Sequence, residues 1–325
     1  MIAKYGYFSI LIIALIITIM VSLSLGSQYI SLSVLWQSQL DQHVHIEQLQ
    51  QIILSIRLPR IINAITVGAL LSVAGLMIQN LVKNPLADPY ILGLSGASAS
   101  VQLAIIATGL VLPFWLFMLS GFIAAIFSLL LLMLLSSNKG LNTSNLLLSG
   151  VVIAFAYGAI ISLILTLSPL ATTKPMLFWL MGDLSYTLPS VYPIIFLILG
   201  LLGSYKYHRE LDILARGEFF AQKCGINVKK INIILLITTS VFTAIAVSMA
   251  GTIGFVGLVV PHITRLLVGN SHAKLIPLSA LIGALVLLIA DTFARTIVAP
   301  VQLPVGIFTA LFGVPVFLIL LRKKS

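Results

Sequence analysis

Long apolar runs, separated by short polar or glycine- and proline-rich breaks, dominate the chain. The stretch from Pro89 to Asn138 carries no charged residue, and it exceeds the roughly 20 residues that one helical crossing of a bilayer needs. Backbone groups inside hydrocarbon must bond to one another, and these runs lack the alternation of a lipid-facing barrel strand. The pattern predicts an all-α, polytopic membrane protein.

The breaks divide the chain into about ten predicted transmembrane helices. They span residues 7–26, 61–82, 91–108, 114–135, 146–168, 190–205, 231–250, 256–268, 275–295 and 305–321. The eighth is predicted to be a short, broken helix, because glycines and Pro261 interrupt a region too short for two full crossings. The first is predicted to be a retained helix, since no small-residue cleavage site follows it. Residues 1–325 are expected to form a single transmembrane domain.

Composition agrees with this class, and the basic residues predict its orientation. Only 8% of residues are charged, against about 25% in soluble domains. With the amino terminus inside, only four of the 18 Lys and Arg residues lie outside, namely Arg57, Arg60, Lys174 and Arg295. The positive-inside rule therefore predicts that both termini are cytoplasmic. Basic loops beside anionic membrane lipid account for the net charge of +10, so no nucleic-acid partner is expected.

The sequence carries little that points to catalysis. It contains no G-x-x-x-x-G-K-[ST] loop, so the chain is not expected to hydrolyse ATP itself. Its single cysteine, Cys224, excludes a disulfide within the chain. Only His43 and His45 are spaced to chelate a metal together, and they are expected to be ordinary solvated loop residues. No catalytic, cofactor-binding or metal-binding residues are predicted, and the chain is not expected to be an enzyme.

An ion-coupled secondary carrier is the competing interpretation, and Asp291 is the one residue that keeps it open. Such carriers place ionisable groups well inside their helices. Asp291 lies four residues before Arg295, so both side chains share one helix face near the outer boundary. The spacing favours a local ion pair over a coupling carboxylate.

A charged segment between Lys206 and Lys230 interrupts the apolar pattern and must lie in water. It predicts two short helices, one near residues 210–215 and another over residues 218–224, with breaks at Gly217 and Gly225. Ala221 is small enough to enter a groove on a partner. We interpret the segment, about residues 208–228, as a docking surface for a cytoplasmic protein.

Several motifs resemble the permease family of iron-chelate (siderophore or haem) and vitamin B12 ABC importers. Gly217, Glu218, Ala221 and Gly225 match its G-E-x-x-A-x-x-x-G segment, although the pair Phe219-Phe220 is less polar than in many relatives. Other matching segments, in the family's order, are Arg57-Leu-Pro-Arg60, Asn84-Pro-Leu-Ala-Asp-Pro89, Gly254-Phe-Val-Gly-Leu-Val-Val-Pro-His262, Leu303-Pro-Val-Gly306 and Gly313-Val-Pro-Val-Phe317.

The resemblance implies a type II importer subunit of ten helices in the bacterial cytoplasmic (inner) membrane, which pairs with a second copy or a paralogue. Two cytoplasmic ATPase subunits, which bind the ATP and Mg, would drive it, and an extracytoplasmic binding protein would deliver the cargo. An iron chelate is favoured over cobalamin. The implied roles fall on three groups of residues: ATPase coupling on Gly217, Glu218, Ala221 and Gly225; binding-protein docking on Arg57, Arg60 and Arg295; and the cytoplasmic gate on Asn84, Leu86, Thr143 and Ser144.

Overall fold

The structure, a computed structural model, describes residues 2–26, 28–35, 44–137, 143–185 and 191–322. All regular secondary structure in these ranges is helical. The α-helices are α1 (Ile2–Ser24), α2 (Val44–Gln51), α3 (Leu58–Val82), α4 (Leu94–Ala107), α5 (Phe114–Ser137), α6 (Thr143–Leu167), α7 (Leu170–Leu180), α8 (Tyr192–Lys206), α9 (His208–Leu214), α10 (Glu218–Lys223), α11 (Val228–Ala250), α12 (Val256–Val268), α13 (His272–Thr296) and α14 (Val305–Arg322). Two 3₁₀ helices, Leu32–Leu35 and Pro89–Leu92, and one π-helix, Ile52–Arg57, complete the set.

The predicted all-α membrane fold is confirmed. Within the described ranges six helices are long and apolar enough to cross a membrane, and four shorter apolar helices coincide with the other predicted spans. The second span is longer than predicted, because α2 and the π-helix extend α3 into one apolar stretch, Glu47–Val82. The prediction missed α7, which carries Lys174 and Pro175.

The eighth predicted element is short, as expected, but the break lies before it. α12 runs unbroken from Val256 to Val268 with Pro261 inside. Residues 251–255 are not helical, and Gly251 and Phe255 there have positive φ angles of 68° and 69°. Pro261 is the sixth residue of α12, so it removes the N–H that would otherwise donate to the Gly257 carbonyl. That carbonyl accepts a hydrogen bond from Gln79 Nε2 at 3.4 Å instead.

The core of the molecule is α3, whose side chains are nearly all buried against α11, α12 and α13. Glycine allows these helices to approach closely. A Cβ atom on Gly75 would lie 1.8 Å from the carbonyl oxygen of Gly257, and one on Gly68 would lie 2.3 Å from that of Gly283. Backbone therefore packs directly on backbone where α3 crosses α12 and α13. These contacts fix the position of α3 relative to both helices.

Two glycines of α6, Gly150 and Gly158, lie in different surroundings. A Cβ atom on Gly150 would lie 2.5 Å from the carbonyl oxygen of Ile91, whereas one on Gly158 would meet no described atom within 4 Å. Most of α6 beyond Ile153 is exposed, and only 11% of its most apolar window is buried. This apolar face is free for lipid or another subunit.

Candidate coupling and gating sites

The charged segment folds into the two short helices that its sequence predicts. α9 ends at Leu214 and α10 begins at Glu218, and Gly217 between them has a φ of 119°. Gly225, just past α10, has a φ of 79°. Residues with side chains rarely adopt these angles, so the two glycines set the start and the end of α10.

Ala221 does not lie on the exposed surface of α10, where it could enter a groove on a partner as the sequence predicts. Its side chain is fully buried within this chain, so it anchors α10 to its own subunit and does not present a notch to a partner. The exposed side chains of α10 include Phe219 and Phe220, with 72% and 44% of their surfaces accessible, together with Gln222 and Lys223. Lys223 covers the ring of Phe219, with Nζ 4.5 Å from its centroid. The outward surface of α10 is therefore aromatic and basic.

An ion pair that sequence reasoning missed joins this segment to the membrane helices. Lys83 Nζ lies 2.7 Å from Glu218 Oε1. Lys83 ends α3 in the left-handed conformation, with a φ of 55°, and directly precedes Asn84. No local signal predicts the pair, because the two residues are far apart in sequence and meet only in the folded chain.

The predicted gate residues Asn84 and Leu86 form a tight turn. Asn84 Oδ1 accepts a hydrogen bond of 2.9 Å from the Leu86 N–H, and the Asn84 carbonyl accepts one of 3.1 Å from the Ala87 N–H. Leu86 is 40% exposed. The turn thus presents one apolar side chain at the end of α3.

Asp88 connects this turn to the next helix. Its carboxylate caps the 3₁₀ helix Pro89–Leu92 by accepting a 2.9 Å hydrogen bond from the Tyr90 N–H. The Tyr90 hydroxyl donates to the Ile253 carbonyl at 3.1 Å and accepts from the Ile253 N–H at 2.9 Å. Burial raises the pKa of Asp88 to about 6, the capping hydrogen bond opposing it. The turn is thereby fixed to the linker before α12.

The two predicted gate segments belong to one packed unit. The 3₁₀ helix that follows Asn84 and Leu86 packs on α6 at Gly150. α6 begins at Thr143, whose side chain lies outside the described part of the chain, and Ser144 beside it is exposed. The turn after α3 is therefore linked to α6 by contact through this 3₁₀ helix.

At the opposite end of α3, Asp291 lies at the centre of a buried ionic cluster. The predicted ion pair with Arg295 is confirmed, at 3.1 Å between Arg295 Nε and Asp291 Oδ2. Arg60 also joins Asp291, with a shortest distance of 2.8 Å, and donates to Ser185 Oγ at 3.0 Å and Gln302 Oε1 at 2.6 Å. A carboxylate held by two guanidinium groups does not fit the coupling group of an ion-driven carrier.

The three arginines are less accessible than the sequence analysis expected. Arg57, Arg60 and Arg295 are each about 5–6% exposed. Arg57 donates to the carbonyls of Leu23, Ser24 and Gln28 at 2.6–2.8 Å. Helix packing explains the difference, because α1 and α13 lie beside α3 and supply acceptors. The cluster itself holds three guanidinium groups and one carboxylate, so it carries an excess of positive charge.

In the ranges that the structure describes, no three His, Cys, Asp or Glu side chains are grouped to hold a metal ion. His43 lies outside the described residues, so the expectation that His43 and His45 are ordinary solvated loop residues stays a prediction.

Comparison with known proteins decides what this arrangement belongs to. The model of the FecCD transport family matches residues 14–323. The chain belongs to the FecCD transport family. It is 36% identical over 332 residues to the hemin transport system permease HmuU of Yersinia pestis, covering 97% of this chain and 95% of that one. It is 39% identical over 289 residues to the cobalamin import system permease BtuC of Halobacterium salinarum, covering 86% and 75%.

A solved structure supports the same assignment. An inward-facing ABC transporter assigned to the metal-chelate type matches with a TM-score of 0.85 and 29% identity, over 98% of this chain and 99% of that one. The molecule is therefore a membrane permease subunit of an ABC importer for iron chelates or cobalamin. Membership of the family implies a partner permease copy and separate ATPase subunits.

Proposed function

We propose that this FecCD permease translocates an iron chelate, either a ferric siderophore or haem, which a binding protein delivers and partner ATPases drive. The observation that carries this choice is coverage. Permeases for hemin and Fe(3+)-citrate match over 97% and 99% of this chain, whereas two permeases for cobalamin match over 86% and 93%. Cobalamin is the alternative cargo.

The segment α9–α10 fits the role of the ATPase coupling site. Gly217 and Gly225 shape α10, Ala221 anchors it, and Glu218 ties it to Lys83. Phe219 and Phe220 offer an apolar contact surface, and removing these side chains from water on binding costs little free energy. A push on α10 would then reach Asn84 and Leu86 through Lys83, and α6 through the 3₁₀ helix. The ATP and Mg would be bound by the partner subunits, and this chain would bind no cofactor.

The ionic cluster around Asp291 fits a docking role at the outer face. Its excess positive charge would attract acidic groups on a binding protein even though Arg57, Arg60 and Arg295 are buried, because a partly buried charge acts over several ångströms. Direct contact by these arginines would require the cluster to open. With the cluster at the outer face, the proposal puts α9–α10 and both termini in the cytoplasm of a bacterial cell.

Uptake measured in a deletion strain tests the cargo. Cells that carry or lack this chain, with the other subunits present, are supplied separately with labelled ferric siderophores, haem and cobalamin. We expect chain-dependent uptake of an iron chelate and none of cobalamin. Chain-dependent uptake of cobalamin alone would contradict the proposal. A Glu218→Lys variant serves as the matched control, since it should insert normally but transport poorly.

The docking role has its own test. Charge reversal at Arg57, Arg60 and Arg295 together should weaken binding-protein docking and its effect on ATPase turnover at low salt. Because these side chains are buried, Lys174→Glu on α7 provides a surface control that changes charge without breaking the cluster. Unchanged docking by a correctly folded triple variant would exclude the arginines from this role.

A further inference from the structure

A cavity of about 860 Å³ lies at the α9–α10 end of the molecule, beside the gate turn, whose Pro85 forms part of its wall. It is bounded by the end of α3, the end of α9, the end of α12 and the start of α13. Its polar lining includes Lys83, Asp212, Arg216, Arg265 and His272. A cavity of this size is ample for a small polar group.

The charges in this cavity are not balanced within the chain. Asp212 Oδ1 is engaged by His272, whose backbone N and Nδ1 both lie at 2.7 Å. Lys83 pairs with Glu218. Neither Arg216 nor Arg265 has an ion-pair partner among the described residues. The cavity therefore carries an excess of positive charge.

Arg265 makes this excess significant. It is partly buried, and Nη1 donates a 2.5 Å hydrogen bond to Gln79 Oε1, which is a neutral amide. A guanidinium withdrawn from water without a counter-charge is costly. An anion entering the cavity would supply that counter-charge, and guanidinium groups match the geometry of phosphate oxygens.

The surroundings indicate where such an anion comes from. Leu266 lines the cavity and is 64% exposed, and Leu267 beside it is 45% exposed. Both lie in the last turn of the apolar helix α12, so an apolar surface adjoins the basic cavity. Basic pockets between membrane helices on the cytoplasmic side bind anionic lipid headgroups.

We propose that this cavity binds the phosphate group of an anionic phospholipid, through Arg216 and Arg265, with an acyl chain along Leu266 and Leu267. The lipid would fill the space between α9 and the membrane helices and hold the coupling segment against them. The proposal takes from the proposed function only the orientation of α9–α10. Lipid binding is measured on purified protein in any orientation, so the two proposals fail separately.

Native mass spectrometry of the full-length permease, titrated with phosphatidylglycerol or phosphatidylcholine of the same acyl chains, tests the site. We expect preferential retention of phosphatidylglycerol together with a rise in melting temperature. Arg216→Gln should weaken that binding about tenfold, the size expected for one lost charged hydrogen bond. Arg209→Gln is the matched control, because Arg209 is an exposed arginine on the neighbouring helix α9 that does not line the cavity.

The proposal also excludes two other occupants. Inorganic phosphate added alone should neither stabilise the protein nor displace the lipid, and lipid should remain bound when the ATPase subunits are added. Equal retention of both lipids, equal effects of the two arginine variants, competition by free phosphate, or displacement by the ATPase would each overturn it. If Arg216→Gln fails to fold, Arg265→Gln replaces it under the same criteria.

Discussion

Lys83 Nζ and Glu218 Oε1 form an ion pair of 2.7 Å that joins the end of α3 to the start of α10. Lys83 directly precedes Asn84, so the helix that is proposed to meet the ATPase contacts the residue next to the gate turn. Both side chains are about 40% exposed, 42% and 39%. An exposed pair contributes little to stability, and its value is in holding two segments in register.

The first prediction concerns this pair. Lys83→Glu and Glu218→Lys should each lower the amount of cargo moved per ATP several-fold, because like charges would separate α10 from the gate turn. The combined exchange should restore most of the loss. Thermal unfolding of all three variants should stay within about 1 kcal/mol of the parent. Transport and ATPase rates in proteoliposomes measure the ratio, and a double variant as poor as the singles would refute the pairing.

A second prediction concerns Ala221, which is fully buried. Ala221→Arg should detach α10 from its own subunit and abolish co-purification of the ATPase, because the site has no room for a long cationic side chain. The cost is about 1–3 kcal/mol of local packing or more. Gln222→Arg, at the exposed neighbouring position, should retain the ATPase. Equal retention by both variants would contradict the buried anchor.

Gly75 gives a test of the core. A methyl group there would lie 1.8 Å from the Gly257 carbonyl oxygen, whereas Gly158 has open space around its Cα. Gly75→Ala should destabilise the protein by roughly 1–3 kcal/mol or prevent its folding. Gly158→Ala should be neutral or stabilise α6 by up to about 1 kcal/mol. Melting temperatures in detergent compare the two, and similar values would be evidence against the close crossing.

Asp88 predicts a pH dependence of stability. Burial raises its pKa to about 6 from 3.8, so the unfolded carboxyl ionises first as the pH rises. The stabilisation is complete below about pH 4 and is lost as the pH passes 6, at a cost of up to about 3 kcal/mol. Asp88→Asn keeps an acceptor for the Tyr90 N–H but cannot ionise.

The measurement is the difference in unfolding free energy between the parent and Asp88→Asn from pH 4 to pH 7. The parent should become less stable relative to Asp88→Asn as the pH rises. A constant difference would show that Asp88 ionises normally in the folded protein.

Much of the fold followed from local physics, and the site followed only in part. Apolar runs and their breaks predicted the ten spans, because hydrocarbon leaves the backbone no alternative to helix. Gly217 and Gly225 predicted the bounds of α10, because their positive φ angles are local properties. The sequence did not predict α7, because the charge of Lys174 and the proline at Pro175 both argue against a transmembrane helix.

Contacts between residues that are distant along the chain could not be predicted from the sequence. The spacing of Asp291 and Arg295 predicted their ion pair, but the arrival of Arg60 depends on how α3 packs beside α13. The burial of Ala221, and of Arg57 by carbonyls from α1, likewise depends on tertiary packing. A single sequence shows which residues can share a helix face but not which helix covers that face.

The central claim is that α9–α10 faces the cytosol and receives the work of a separate ATPase. Cys224 is the single cysteine of the chain, and it is exposed just past α10. Its reaction with a membrane-impermeant thiol reagent, in sealed right-side-out vesicles and again after permeabilisation, measures the side directly. The account predicts labelling only after permeabilisation, and labelling of intact vesicles would contradict it.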